Sequence, residues 1–237
     1  NIKYNYNLSV QYKENYYFGI NVNMHSIYKS NFLRHFENNF SKESAIKNIT
    51  FENSLVTQGE GISVQLGTIV KFNSFRLGLS YQSPTWYSLW DETYQYIETN
   101  SQDLEGNTFK DEIDPRVTNR YPEYKITSPS AITASTAFIF GKTGLISLDI
   151  VSKDYSEIKL KPTKDFSYNN NKIKTKLTNS LDFRLGTEFR IQKISLRSGY
   201  QFYTSPYKDS TIMEDYSTLA FGFGYDFGDT VLNLSHK

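Results

Sequence analysis

From Leu181 to Tyr203, hydrophobic and polar positions alternate with a period of two. Leu181, Phe183, Leu185, Thr187, Phe189 and Ile191 fall on one face, and Asp182, Arg184, Gly186, Glu188 and Arg190 on the other. After Gln192 and Lys193 the alternation resumes, with Ile194, Leu196, Ser198, Tyr200 and Phe202 opposed to Ser195, Arg197, Gly199, Gln201 and Tyr203. The pattern predicts a β-hairpin with one apolar and one charged face.

The same unit recurs along the chain. Tyr4 to Tyr12 and Tyr16 to His25 form a pair around Lys13-Glu14-Asn15, and Gly61 to Phe72 and Phe75 to Gln82 a pair around Asn73-Ser74. Ala131 to Phe140 is joined by Gly141-Lys142-Thr143-Gly144 to a strand reaching about Leu160. Ser217 to Phe227 turns at Gly228-Asp229 into Val231 to His236. Between the pairs lie longer segments. In Lys29 to Gln58 the spacing of Phe32, Leu33, Phe36 and Phe40 predicts a short amphipathic helix within a loop. Ser88 to Tyr124, rich in charge, Asn and Pro, reads as irregular, with Trp86, Tyr87, Leu89, Trp90, Tyr94, Tyr96 and Ile97 near its start.

Connections thus alternate short and long across about ten strands of roughly 10 residues. Two architectures accommodate such strands: a soluble sandwich or small barrel with its apolar face inward, and an outer-membrane barrel with that face toward lipid and a polar lumen. The strict asymmetry of the connections favours an antiparallel up-and-down transmembrane β-barrel, with short periplasmic turns and long extracellular loops. Aromatic residues at strand ends, among them Tyr12, Tyr16, Phe72, Phe75, Phe138, Phe140, Phe189, Tyr225 and Phe227, fit an interfacial girdle.

Composition changes this picture little. A mean hydropathy of −0.54 is compatible with a membrane barrel, because only every second strand residue meets lipid. The 19 Tyr and 17 Phe favour strands. The absence of cysteine excludes a disulfide framework, a thiolate metal site and a cysteine nucleophile, and a net charge of +1 with interspersed acids and bases gives no reason to expect nucleic acid.

The order of the strand-turn-strand blocks resembles the FadL/TodX family of outer-membrane transporters of long-chain fatty acids and other hydrophobic compounds. The blocks are LSVQYKENYYFGINVNMHSIY, GEGISVQLGTIVKFNSFRLGLSYQSPTWYSL, SPSAITASTAFIFGKTGLISLDIVSKDYSEIKL, LDFRLGTEFRIQKISLRSGYQFYTSP and STLAFGFGYDFGDTVLNLSHK, and they cover essentially the whole chain. The resemblance implies a 14-stranded barrel plugged by an N-terminal hatch, of which residues 1–237 would be one domain comprising strands four to thirteen, without the hatch, first strands and last strand. It implies a monomer in the outer membrane of a Gram-negative bacterium, in contact with membrane lipid and a hydrophobic substrate, with no cofactor and no metal.

The resemblance also gives the two long loops a role as a substrate groove, for which Phe32, Leu33, Phe36, Phe40, Trp86 and Trp90 are the candidates. Burying an acyl chain there would contribute roughly 0.8 kcal/mol per methylene. The plainer alternative is that the loops pack on each other. A carboxylate head group would need a cation on the polar face. Arg197, in a segment resembling the family's Arg-x-Gly followed by Ser-Pro, is the first candidate, with Ser205 as a hydrogen-bond donor and Arg184 and Arg190 behind it. The alternative is mutual pairing, of Arg184 or Arg197 with Glu188.

Other functions need other residues. A phospholipase-type barrel needs an exposed Ser-His pair, and only His25, His35 and His236 exist, so an enzyme is not expected. Haem ligation would fall to His25 or His35. A general porin or a structural or adhesive barrel would share the architecture, but the Trp- and Phe-bearing loops favour hydrophobic cargo.

Overall fold

The computed structural model describes residues 1–39, 41 and 43–236. The chain opens with β1 (Ile2–Tyr12), β2 (Tyr16–Asn38), β3 (Ile46–Phe72), β4 (Phe75–Gln82) and β5 (Trp86–Gln102). Three short strands follow, β6 (Thr108–Ile113), β7 (Asn119–Arg120) and β8 (Tyr124–Thr127). Then come β9 (Ala131–Phe140), β10 (Gly144–Asp154), a 3-10 turn at Tyr155–Glu157, β11 (Lys159–Lys161) and the helix α1 (Ser167–Lys176). The chain closes with β12 (Asn179–Ile191), β13 (Ile194–Tyr203), β14 (Tyr216–Asp226) and β15 (Val231–His236). No helix among the described residues is long and apolar enough to cross a membrane.

The ten strands expected from the alternation are all present, as β1, β4, β9, β10, β12 to β15 and parts of β2 and β3. The strands join one sheet in the order β11-β8-β5-β3-β4-β9-β10-β12-β13-β14-β15, with β1 on β2, β2 on β3, and β6 and β7 on β5. Five tight turns close the hairpins, and each holds a residue in the left-handed region: Lys13, Asn73, Gly141, Gln192 and Gly228. A hairpin of two or three loop residues needs positive φ to match the right-handed twist of its strands. Gly141 and Gly228 meet that need without steric cost; the other three turns are built on residues with a Cβ.

Two of the expected loops are not loops. Residues 29–58, read as a loop bearing a helix, are instead largely the end of β2 and the start of β3. The i, i+4 spacing of Phe32 and Phe36 satisfies a period of two as well as one of 3.6, and Asn, His and Phe are indifferent helix formers. Hydrogen bonding between β2 and β3 decides the matter. Phe40 lies outside the described residues. Residues 88–124 are likewise mostly strand, in β5, β6 and β7. The turn between β5 and β6 is made by Asp103, whose carboxylate accepts from the N–H groups of Glu105 and Asn107 at 2.9 and 2.8 Å, with Gly106 at φ +91°. The helix lies elsewhere, in the polar segment of α1, where the Asn170 side chain clasps both backbone groups of Leu160 at 2.8 and 2.9 Å.

The chain divides into two compact units. The first comprises residues 1–3, 25–61 and 87–125, and is held by polar pairs such as Thr57 with Asp91 at 2.6 Å and Asn100 with Asn48 at 2.7 Å. The second comprises residues 4–24, 62–86 and 126–237. Its registers align the side chains of its paired strands into rows. One row runs Val70, Leu77, Thr136, Leu148, Leu185, Tyr200, Leu219, and the next Phe72, Phe75, Phe138, Ile146, Thr187, Ser198, Phe221. Rows of the opposite parity carry the polar residues.

Burial on these two faces is the reverse of a water-soluble sheet. Leu8, Leu79 and Leu219 are 65%, 55% and 60% exposed, whereas Ser63 and Asn23 are 0% and 1% exposed. Among the described residues the buried hydrophobic side chains are Leu89 and Ala131, and the buried polar ones include Thr50, Ser83, Thr85, Ser180, Asp182 and Ser205. At roughly 25 cal/mol per Å², leaving such leucines in water would forfeit about 1.5 to 3 kcal/mol each. Lipid removes that penalty, and it is the solvent this face fits. The aromatic side chains near the tight turns pack on one another as a girdle would, Phe138 on Phe140 at 4.8 Å and Tyr225 on Phe227 at 4.6 Å between ring centres.

Candidate functional site

On the polar face of the second unit the rows alternate between small and charged. One row reads Lys71, Arg76, Ala137, Ser147, Gly186, Gly199, Ala220. The rows on either side read Ile69, Gly78, Ser135, Asp149, Arg184, Gln201, Thr218 and Ile139, Leu145, Glu188, Arg197, Gly222, Ser235. Because glycine, alanine and serine project so little, the face is hollow where they meet. A cavity of about 510 Å³ lies over Gly19, Asn21, Gln65, Gly67, Gly78, Ser80, Ser135, Ser147 and Asp149, with Arg76 and Tyr17 at its margin. That volume falls within the range of small-molecule sites.

Two polar clusters lie farther along the same face, on β12, β13 and β15. Asp182 accepts both Nε and a terminal nitrogen of Arg184, and its other oxygen accepts Gln201 Nε2 at 2.9 Å. Glu188 is shared by Arg190 and by Arg197, whose Nε lies 3.0 Å from Oε2 and whose Nη1 donates to Asn233 Oδ1 at 2.8 Å. Of the pairings foreseen from the sequence, Arg197 with Glu188 is present. Arg184 turns to Asp182, its neighbour two residues back on the same face, and not to Glu188. With two guanidiniums on one carboxylate, the Glu188 cluster keeps a unit of positive charge.

Arg197 and Ser205 are not brought together. From Arg197 to Tyr203, still within β13, six residues at about 3.3 Å each separate them by roughly 20 Å, too far for one carboxylate to touch both. Ser205 is buried beyond the strand end, where its N–H donates to Asp215 at 2.7 Å and its hydroxyl oxygen accepts from Tyr207 N–H at 3.1 Å.

The apolar candidates are split as well. In the strand, Phe32 and Phe36 share one face of β2 and Leu33 takes the other; all three are exposed. Trp86 and Trp90 both lie on β5; Trp86 is exposed, and the Arg120 guanidinium lies 5.2 Å from the Trp90 ring centre. In the first unit, Glu98 is held below the usual carboxylate range, first by the Tyr96 hydroxyl that donates to it at 2.8 Å and then by Lys110 and Asn100. The Tyr96 phenol is pushed up by the same bond.

Sequence reasoning placed Asn23, Ser63, Lys71, Arg76 and Tyr17 on the polar face but named none of them as a site residue; Asn23 and Ser63 are buried at 3.3 Å from each other, with Asn5 donating to Asn23, and Lys71 donates to the Tyr17 hydroxyl. The signal for the former was available as asparagine at polar-face positions of adjoining strands, Asn5 and Asn23, which a register would have paired.

No family model and no curated protein matches the chain. Among solved structures, the toluene transporter TodX of P. putida superimposes with a TM-score of 0.55 at 14% identity, over 98% of this chain and 61% of its own. A deltaS2 mutant of the TodX monoaromatic hydrocarbon channel gives a TM-score of 0.56 at 13% identity, over 98% and 62%. The chain has the fold of TodX. It is an antiparallel up-and-down transmembrane β-barrel fold, as the strand order and the family resemblance imply, and the chain spans about three fifths of the length of TodX. The apolar rows are then the lipid-facing surface and the small and charged rows the lumen.

Proposed function

We propose that this chain belongs to an outer-membrane channel that passes hydrophobic small molecules, fatty acids or aromatic hydrocarbons, by diffusion, with no bond made or broken. The observation that carries the reading is the inverted burial of the sheet, leucines exposed and serines and asparagines covered, on the fold of a toluene transporter. The reading places the protein as a monomer in the outer membrane of a Gram-negative bacterium, surrounded by lipid. Phe32 and Phe36 on one face of β2, Leu33 on the other, and Trp86 and Trp90 on β5 are the apolar groups offered to arriving substrate. Arg197 of the positively charged Glu188 cluster, with Arg184 and Arg190, serves a carboxylate head group.

A second reading is favoured by the charged rows of the lumen, which suit a general porin for hydrophilic solutes. The full-length protein in proteoliposomes separates the two. Uptake of toluene or oleate above that of empty vesicles, with sucrose excluded and uptake reduced in Trp86→Ala and Phe36→Ala, supports the hydrophobic channel. Sucrose flux and steady ion conductance without uptake of either hydrophobic probe supports the porin.

A further inference from the structure

The acids of the lumen are distributed unevenly. Asp182 holds Arg184 and Gln201, Glu188 holds Arg190 and Arg197, and Asp149 stands opposite Arg184 in register. Lys71 and Arg76 face one another directly across β3 and β4, two like charges at a position where opposed side chains approach closely. Among the described residues neither has a carboxylate within ion-pair distance. Lys71 is tethered: its Nζ donates to the Tyr17 hydroxyl at 2.7 Å and lies 3.9 Å from that ring's centre, while the Tyr17 hydroxyl donates to the Glu14 carbonyl at 3.2 Å. Arg76 is exposed and lines the cavity. Beyond it in the same row stand Ala137, Ser147 and Gly186, none long enough to cover the guanidinium.

Two cations side by side, one fixed by a phenol and one free to fork, opening onto a hollow whose lining on the same face includes the apolar Ile69, are built to receive an anion. We propose that Arg76 and Lys71 form an anion site close to the tight turn of β3 and β4, which takes the carboxylate of an amphiphile whose tail lies along the cavity over Gly78 and Ser135. It rests on the lumen assignment made above, and it is distinct from the Glu188 cluster. The same chemistry would accept a free inorganic anion, so the test carries both.

The test is calorimetric titration of the full-length protein in neutral detergent with dodecanoate, dodecanol and sodium sulfate, in the wild type and in Arg76→Gln, Arg76→Lys, Lys71→Gln and Arg197→Gln. The expected result is dodecanoate bound at least about tenfold more tightly than dodecanol, a preference lost in Arg76→Gln, weakened in Lys71→Gln and kept in Arg76→Lys. Sulfate binding that Arg76→Gln abolishes, without a preference for dodecanoate, assigns the same site to a free anion. Equal binding of acid and alcohol with no sulfate binding overturns the site, as does a preference removed by Arg197→Gln and untouched by Arg76→Gln. Dodecanol reports separately on the transport reading: if it does not bind while dodecanoate or sulfate does, the anion site stands and hydrophobic passage fails.

Discussion

Leu185 and Ser147 make a matched pair for deciding what the sheet faces. Leu185 sits at the middle of β12 in the apolar row between Leu148 and Tyr200 and is 43% exposed. Ser147 sits on the neighbouring strand in the small-residue row, between Ala137 and Gly186. In a water-soluble sheet Leu185→Arg would exchange an exposed leucine for an exposed arginine and cost within about 0.5 kcal/mol of nothing. In a membrane barrel an arginine on the lipid face near the midplane costs about 2 to 4 kcal/mol, roughly 30- to 900-fold in the folding equilibrium. Ser147→Arg points into the lumen, where Ala137 and Gly186 leave room and Asp149 is two residues away, so its expected cost is about 1 kcal/mol or less. Reversible urea unfolding of the full-length protein in phospholipid vesicles, followed by tryptophan fluorescence and by the gel shift between folded and unfolded forms, measures both. A Leu185→Arg variant as stable as wild type, or a Ser147→Arg variant that loses more, would mean that the faces are assigned the wrong way round.

Other outcomes follow from single side chains. Asn23→Ala removes a buried amide that donates to Ser63 and accepts from Asn5, and is expected to cost about 1 to 3 kcal/mol in the same unfolding assay. Glu188→Gln strips the common counter-ion from Arg190 and Arg197; it is expected to destabilise by about 1 to 3 kcal/mol and to shift reversal potentials toward anions in planar bilayers, and an unchanged reversal potential would remove the cluster from the conduction path. Glu98, with its folded pKa depressed below 4.5, contributes order to the β5–β6 hairpin at neutral pH, and that contribution is lost as pH falls through the folded value. Limited proteolysis at 103–107 by an acid-tolerant protease should therefore rise below about pH 4.5 in the wild type, and Tyr96→Phe should move the onset to higher pH; no difference between them would count against the bond.

Most of the strands could be read from the sequence because their information is local. From Leu181 to Leu234 the lipid-facing strand positions are apolar, aromatic or small hydroxyl, the turns of the β12–β13 and β14–β15 hairpins are two and four residues long, and a slip of one residue would expose the wrong face. The stretches around Phe36 and Trp90 were not legible because both faces there carry polar residues, so period two is masked and cross-strand hydrogen bonding, which no local window contains, sets the structure. The charge clusters were legible in kind and not in partner. Arg184 was as plausible with Glu188, four residues on along β12, as with Asp182, two residues back, and only the side-chain rotamers separate them. Arg76 and Lys71 were legible as charges of the polar face but not as a site: what marks them is a missing partner, and a list of residues does not display absences.

The row Ala137, Ser147, Gly186, Gly199, Ala220 has a consequence for how such a barrel can change over generations. Each of these positions sets the bore by the length of one side chain, and none touches the lipid contacts that keep the sheet folded. A Cβ added at Gly199 would meet nothing closer than 3.8 Å, so the step from glycine to alanine there is free of collision. Calibre and stability are therefore written on opposite sides of the same strands. Single-codon changes can retune the width of the lumen, one notch at a time, while the outer wall stays as it is.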